Sequence, residues 1–123
     1  MIGGTVNARH EAILRLRVRG PGGTVSDVDM IVDTGFSSSL TLPATTIAAL
    51  GLARQSGSGA LLADGSIRRI DIYEAEVEWD GAWRIALISA IGNEALLGMG
   101  LLAGHKLMIE ATPRGSVEVH PLP

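Results

Sequence analysis

The chain contains no cysteine, which excludes disulfides, thiolate metal sites and thiol nucleophiles. Aromatic residues make up only 3% of its 123 positions, namely Phe36, Tyr73, Trp79 and Trp83. So few rings leave no base-stacking platform. A basic field is missing as well: 10 Lys and Arg stand against 13 Asp and Glu, for a net charge of -3. Nothing here draws phosphate backbones, and nucleic acid is not an expected partner. The longest apolar run, residues 95–104, falls well short of the roughly 20 residues that a spanning helix takes, so no membrane partner is expected. The first ten residues lack an apolar export segment, and the expected location is the cytoplasm. His10, His105 and His120 stand singly, without metal-ligand spacing, which predicts surface or structural histidines and no metal.

What the chain does have is a core's worth of apolar residues, 46%, and an excess of glycine, 16 of 123. Glycine without low-complexity repeats predicts tight turns between short strands. The length fits one domain, residues 1–123. Residues 13–19 alternate strictly, with Leu14, Leu16 and Val18 on one face and Arg15, Arg17 and Arg19 on the other, the signature of a half-buried strand. Residues 20–23 (Gly-Pro-Gly-Gly) turn the chain, and residues 24–32 resume the period of two up to Asp33. A short strand over residues 38–42 and a helix opened by Pro43 and stopped by Gly51 follow.

Residues 54–59 are polar and glycine-rich and read as a loop. Beyond them a hairpin is expected with Asp64-Gly65 as a tight primed turn. Asp80-Gly81 predicts another hairpin, with Glu74, Glu76 and Glu78 on one face of its first strand. That acidic row is positioned to face the arginine row across strands. Residues 95–104 read as a strand end, a glycine turn and one or two helical turns capped at Gly104. Residues 105–110 and 117–119 supply the last strands. Seven or so short strands with two small helical pieces predict an all-β, closed or nearly closed barrel.

Asp33-Thr34-Gly35 is the candidate site. Asp and Gly favour turns, and a turn carboxylate is the plain reading of this tripeptide. Yet an acid placed directly after Met30-Ile31-Val32 is expected to be partly buried, where an unpaired charge is costly.

With the residues around it, the motif resembles the retropepsin-like aspartic proteases, in particular their small bacterial single-domain members. The likeness covers about residues 12–120. It rests on the apolar pair before Asp33-Thr34-Gly35, on Ser39-Leu40-Thr41-Leu42-Pro43, on Ala63-Asp64-Gly65-Ser66 and on Leu96-Leu97-Gly98-Met99 with Leu101-Leu102. Phe36 departs from the small residue that retroviral members carry after the glycine, and Gly100 stands where bacterial ones often have an acid or Asn. The resemblance implies an acid-protease β-barrel completed as a homodimer, acting on peptide or protein substrates without a cofactor or metal. It implies that Asp33 is catalytic, that Thr34 and Gly35 form the active-site loop and interlock the dimer, and that Leu62, Ala63, Asp64, Gly65 and Ser66 belong to a flap. Leu97, Gly98 and Met99 would form a second glycine loop.

Aspartic proteolysis uses two carboxylates that share one proton, since like charges about 3 Å apart do not both ionise comfortably. One chain of this length carries one such motif, so the second acid would come from a second copy. The rival expectation from another class is a dimeric barrel that kept the fold as a non-catalytic interaction module. A third pattern, Gly98-Met99-Gly100-Leu101-Leu102-Ala103, fits the dinucleotide fingerprint, with Glu118 at a suitable distance. Too little chain follows for further βα units, and Gly104 and Pro113 interrupt the helix such a site needs.

Overall fold

The computed structural model describes residues 1–61 and 64–123. Ten strands and two short helices follow one another as β1 (Ile2–Val6), β2 (Ala12–Arg19), β3 (Val25–Val32), β4 (Leu40–Thr41), α1 (Ala44–Ala49), β5 (Ala53–Leu61), β6 (Ile67–Trp79), β7 (Ala82–Ser89), β8 (Leu96–Leu97), α2 (Met99–Leu102), β9 (His105–Ile109) and β10 (Ser116–Pro121). Strand content of 52% makes the protein all-β. The sheet order is β5-β6-β7-β4-β8-β3-β2-β1-β10-β9, and a further β6–β2 pairing closes the six strands from β6 to β2 into a barrel.

The alternating pattern of residues 13–19 does what period two requires. Leu14, Leu16 and Val18 are buried inside the barrel, next to Met30, Val77, Ile88, Leu97 and Leu101. The arginines on the other face meet different partners from those expected. β2 pairs with β3 along its length, placing Arg15 opposite Asp29 and Arg17 opposite Asp27, with ion-pair distances of 2.8 and 3.5 Å. β2 meets β6 at only two registers, Val18↔Val77 and Arg19↔Glu76. The expected confrontation of the arginine and glutamate rows is therefore reduced to Arg19–Glu76, at 2.8 Å. The Arg15 guanidinium, by hydrogen bond and then by charge, holds the Asp29 carboxyl below its usual range. The Arg15 and Arg17 pairs are solvent-exposed, a setting worth about 0–1 kcal/mol each, whereas Arg19–Glu76 is partly buried.

Three further differences arise from how the strands pair and turn. The polar stretch 54–59 is part of strand β5, because an antiparallel ladder with β6, running from Ala53↔Glu74 to Leu61↔Ile67 with one register shift between Arg54 and Ser56, outweighs its weak strand propensity. β1, unforeseen in a segment with two glycines, is a strand because β10 and β2 pair with it on either side. Of Asp64 and Gly65 only Gly65 has a positive φ (85°), so the pair lacks the two positive φ values that Asp80-Gly81 shows. Asp80-Gly81 is a primed turn: both residues have positive φ (51° and 86°), the geometry that joins twisted strands most directly.

Trp79 is buried in the core, and its indole N–H donates to Nε2 of His105 at 3.1 Å. An indole only donates, so Nε2 is the unprotonated nitrogen and Nδ1–H is left to donate to the Ala103 carbonyl at 3.0 Å.

Candidate active site

Asp33 follows the last residue of β3, and its position is set by a strand from the far end of the sequence. β3 runs parallel to β8, with Ile31 opposite Leu96 and Val32 opposite Leu97. The Asp33 amide adds one rung, donating to the Leu97 carbonyl at 2.9 Å. The chain then turns sharply: the Phe36 amide donates to the Asp33 carbonyl (3.1 Å), and the Gly35 amide donates to Oδ1 of Asp33 (2.9 Å). That second bond is the turn role of the carboxylate. It engages Oδ1, and a carboxylate has two oxygens. Asp33 is half-buried, whereas Thr34 and Gly35 are exposed. Among the described residues Asp33 forms no ion pair, and the Thr34 hydroxyl has no hydrogen-bond partner.

The returning limb of the loop is held from the same side. β4 is antiparallel to β8, with Leu40 opposite Leu97, so the wholly buried Leu97 is clasped between β3 and β4. Amides of the second glycine loop then donate in succession to the returning limb. Gly98 donates to the Ser39 carbonyl (2.9 Å), Met99 to Phe36 (2.8 Å) and Gly100 to Ser38 (3.0 Å). A Cβ on Gly98 would lie 2.2 Å from the Ser38 carbonyl oxygen and 2.6 Å from that of Phe36. One on Gly100 would come within 2.9 Å of the Ser38 backbone. The glycines of the dinucleotide-like pattern thus serve a close backbone crossing. The four-residue helix α2 that follows buries Leu101 and Leu102.

Sequence reasoning gave Thr41 no role, yet it ties the construction together. It is 1% exposed. Its hydroxyl donates to the Glu94 carbonyl (2.8 Å) and accepts from the Leu96 amide (2.9 Å). The one available signal was a hydroxyl between two leucines, Leu40 and Leu42, both of which are buried. Thr41→Val keeps the shape and strands both backbone partners in the core, so it should lower stability by about 1–3 kcal/mol in urea unfolding, while Thr41→Ser should retain most of it. A Val variant as stable as the parent would show that the bridge is idle.

The hairpin expected to be a flap is β5–β6. Of its tip, Leu62 and Ala63 lie outside the described residues, while Asp64, Gly65 and Ser66 are exposed. Oδ1 of Asp64 accepts both the Ser66 hydroxyl (2.6 Å) and its amide (2.9 Å). These bonds, the hydroxyl foremost, hold the Asp64 carboxyl below its usual range. A depressed value means that the tie is complete above the ordinary carboxylate range and is lost only as pH falls through the lowered one. The tip therefore stays tied in mild acid.

A pocket of about 330 Å³ opens beside the loop, lined by Val6, Ala12, Ile31, Val32, Thr34 and Ile109 among others.

No protein-family model and no curated protein matches the sequence. Solved structures do match in shape, two proteases among them. A retropepsin-like aspartic protease from Rickettsia conorii is 17% identical, over 98% of this chain and 92% of that one, with a TM-score of 0.64. EIAV protease, solved with the inhibitor HBY-793, is also 17% identical, over 80% of this chain and 90% of its own, with a TM-score of 0.53. The chain has the retropepsin-like fold.

Proposed function

We propose that the protein is an aspartic endopeptidase that works as a homodimer, two Asp33 carboxylates activating one water between them. The observation that carries this reading is the placement of Asp33. It sits half-buried at the head of a loop whose two limbs are both pinned by β8 and the second glycine loop, with one carboxylate oxygen fixed by Gly35. A turn alone does not call for such an anchorage. The retropepsin-like fold, shared with two proteases, supports the same conclusion.

In this mechanism one Asp33 is ionised and takes a proton from water, while its protonated twin donates to the carbonyl oxygen of the scissile peptide. The tetrahedral species then collapses as the leaving nitrogen is protonated. Each chain supplies one acid, so the partner copy completes the site. Thr34 is exposed beside a mostly apolar pocket and the half-exposed Ile109, which supports contact with a second copy there. The β5–β6 hairpin would cover bound peptide and exclude water, as lids do.

The test is hydrolysis of a diverse peptide library across pH and protein concentration. Activity per chain should rise with concentration as dimers fill. It should peak on the acidic side of neutrality and decline on both sides, because only the singly protonated pair is competent. A fully active monomer in sedimentation, or activity climbing steadily into alkali, overturns the dyad.

A further inference from the structure

The β5–β6 hairpin has two faces of different character. Tyr73 packs against the core, and Ala75, Val77 and Trp79 are buried in it, so the odd-numbered residues of β6 mark its inner side. Alternation places Asp71 and Arg69 on the continuation of that side, beyond the barrel. Directly opposite residues share a face, and the register sets Arg54 against Tyr73, Gly57 against Asp71 and Gly59 against Arg69. The inner side of the hairpin thus carries two arginines, one aspartate and two glycines.

The arginines converge. Arg54 donates through Nε to Oδ1 of Asp71 at 3.0 Å. Its Nη2 also reaches within 3.2 Å of the point where a Cβ on Gly57 would sit. Nε and Nη2 of Arg69 come within 2.5 and 3.1 Å of the same point. The Arg69 guanidinium therefore lies directly over Gly57, in the room left by its missing side chain, with the Arg54 guanidinium beside it. Asp71 offsets one of the two charges, and among the described residues Arg69 is in no ion pair. Like charges held this close favour an anion between them, and planar guanidinium forks suit a carboxylate.

We infer that Arg69 and Arg54, converging over Gly57, form a carboxylate-binding subsite that gives the enzyme a preference for peptides with an acidic group at one position away from the cut. The inference rests on the peptidase reading, in which this hairpin lies over the substrate. Arg69 and Arg54 are specificity residues. Asp71 is a positioning residue that orients Arg54.

Binding and cleavage separate the two ideas. Fluorescein-labelled, amidated octapeptides with Glu or Gln at each position in turn, plus a set ending in a free carboxylate, are titrated by anisotropy into Asp33→Asn protein. At one position Glu should bind about five- to tenfold tighter than Gln, the gain of an exposed charge-assisted contact, and the gap should shrink as salt is raised. If only the free-carboxylate set gains, the anion recognised is the peptide terminus. Adding Arg69→Gln should bring the two affinities together. Gly57→Ala should do the same by pushing the Arg69 guanidinium off its seat, and Arg69→Lys should keep part of the gap. Unaltered thermal midpoints certify the variants as folded. Equal binding of Glu, Gln and free-carboxylate peptides, no binding of any of them, or a preference that survives Arg69→Gln overturns the subsite. Hydrolysis by unmodified protein reports separately: no cleavage alongside a carboxylate preference in binding rejects the peptidase reading and leaves the subsite standing.

Discussion

Asp33→Asn should abolish peptide hydrolysis, by about 10²- to 10⁴-fold or more, while leaving the fold as stable as the parent or more so. The amide is the same size as the carboxylate, and its Oδ1 can still accept the Gly35 amide, so the turn at residues 33–36 survives. What is lost is the ionised base, whose removal ordinarily costs that much rate. In a dimer the substitution also removes a repulsion between two acids brought together at the axis. Asp33→Ala separates the roles further. It removes both the base and the turn acceptor, and it should lose stability by about 1 kcal/mol besides losing activity. Hydrolysis and thermal midpoint measured on one preparation decide the matter. Retained cleavage in the Asn variant rejects Asp33 as the catalytic acid and returns it to a purely structural role.

Gly98→Ala should be nearly as damaging to activity, by a different route. The φ of Gly98 is −101°, a value that alanine adopts freely, so the difficulty is space rather than backbone strain. Its methyl would sit 2.2 Å from the Ser38 carbonyl oxygen and 2.6 Å from both the Phe36 carbonyl oxygen and its ring edge. Two of these neighbours are backbone and cannot swing aside. Relief requires the 36–39 limb to move away from β8, breaking bonds such as Gly98 to Ser39 and Met99 to Phe36 and shifting Asp33 with them. Overpacking of this kind costs about 1–3 kcal/mol, and a displacement of about 1 Å at a reacting group can cost a hundredfold in rate. Gly100→Ala, whose methyl would meet its nearest backbone atom at 2.9 Å, should be milder on both counts. Urea midpoints and turnover should therefore rank parent, Gly100→Ala, Gly98→Ala. A Gly98→Ala protein indistinguishable from the parent would show that the crossing is looser than its geometry.

How much of this was readable in the chain follows the range of the interactions. The β2–β3 hairpin and the Asp80-Gly81 turn are local, so alternation and turn chemistry disclose them. The helix after Pro43 also ends where a glycine at positive φ (62°) lets it, at Gly51. β1, β4 and β8 owe their strand state to partners distant in sequence, and two-residue strands such as β4 and β8 carry no period to detect; the 54–59 part of β5 has a local hairpin partner, but its serines and glycines hide the strand. The arginine rows could be read as exposed, but not with whom they pair, since that depends on which strand lies next to β2. In the site, Asp33 was visible through its tripeptide. Thr41 was not, because a hydroxyl says nothing of the Glu94 carbonyl and Leu96 amide that it joins. Gly98 and Gly100 were visible as glycines, though the reason for them lies in the approach of the 36–39 limb.

The parallel pairing of β3 with β8 also sets an order of events. The acid is made early in synthesis, but the groups that fix its loop, Leu97 through Gly100, come late in the chain. Pairing across so long an intervening segment is slow compared with forming a hairpin. On a ribosome, Asp33 would leave the exit tunnel in a chain able to form the β2–β3 hairpin and unable to hold the active loop. The destructive chemistry proposed for this site would therefore be withheld until residues 97–100 have arrived, which spares the nascent protein and its neighbours.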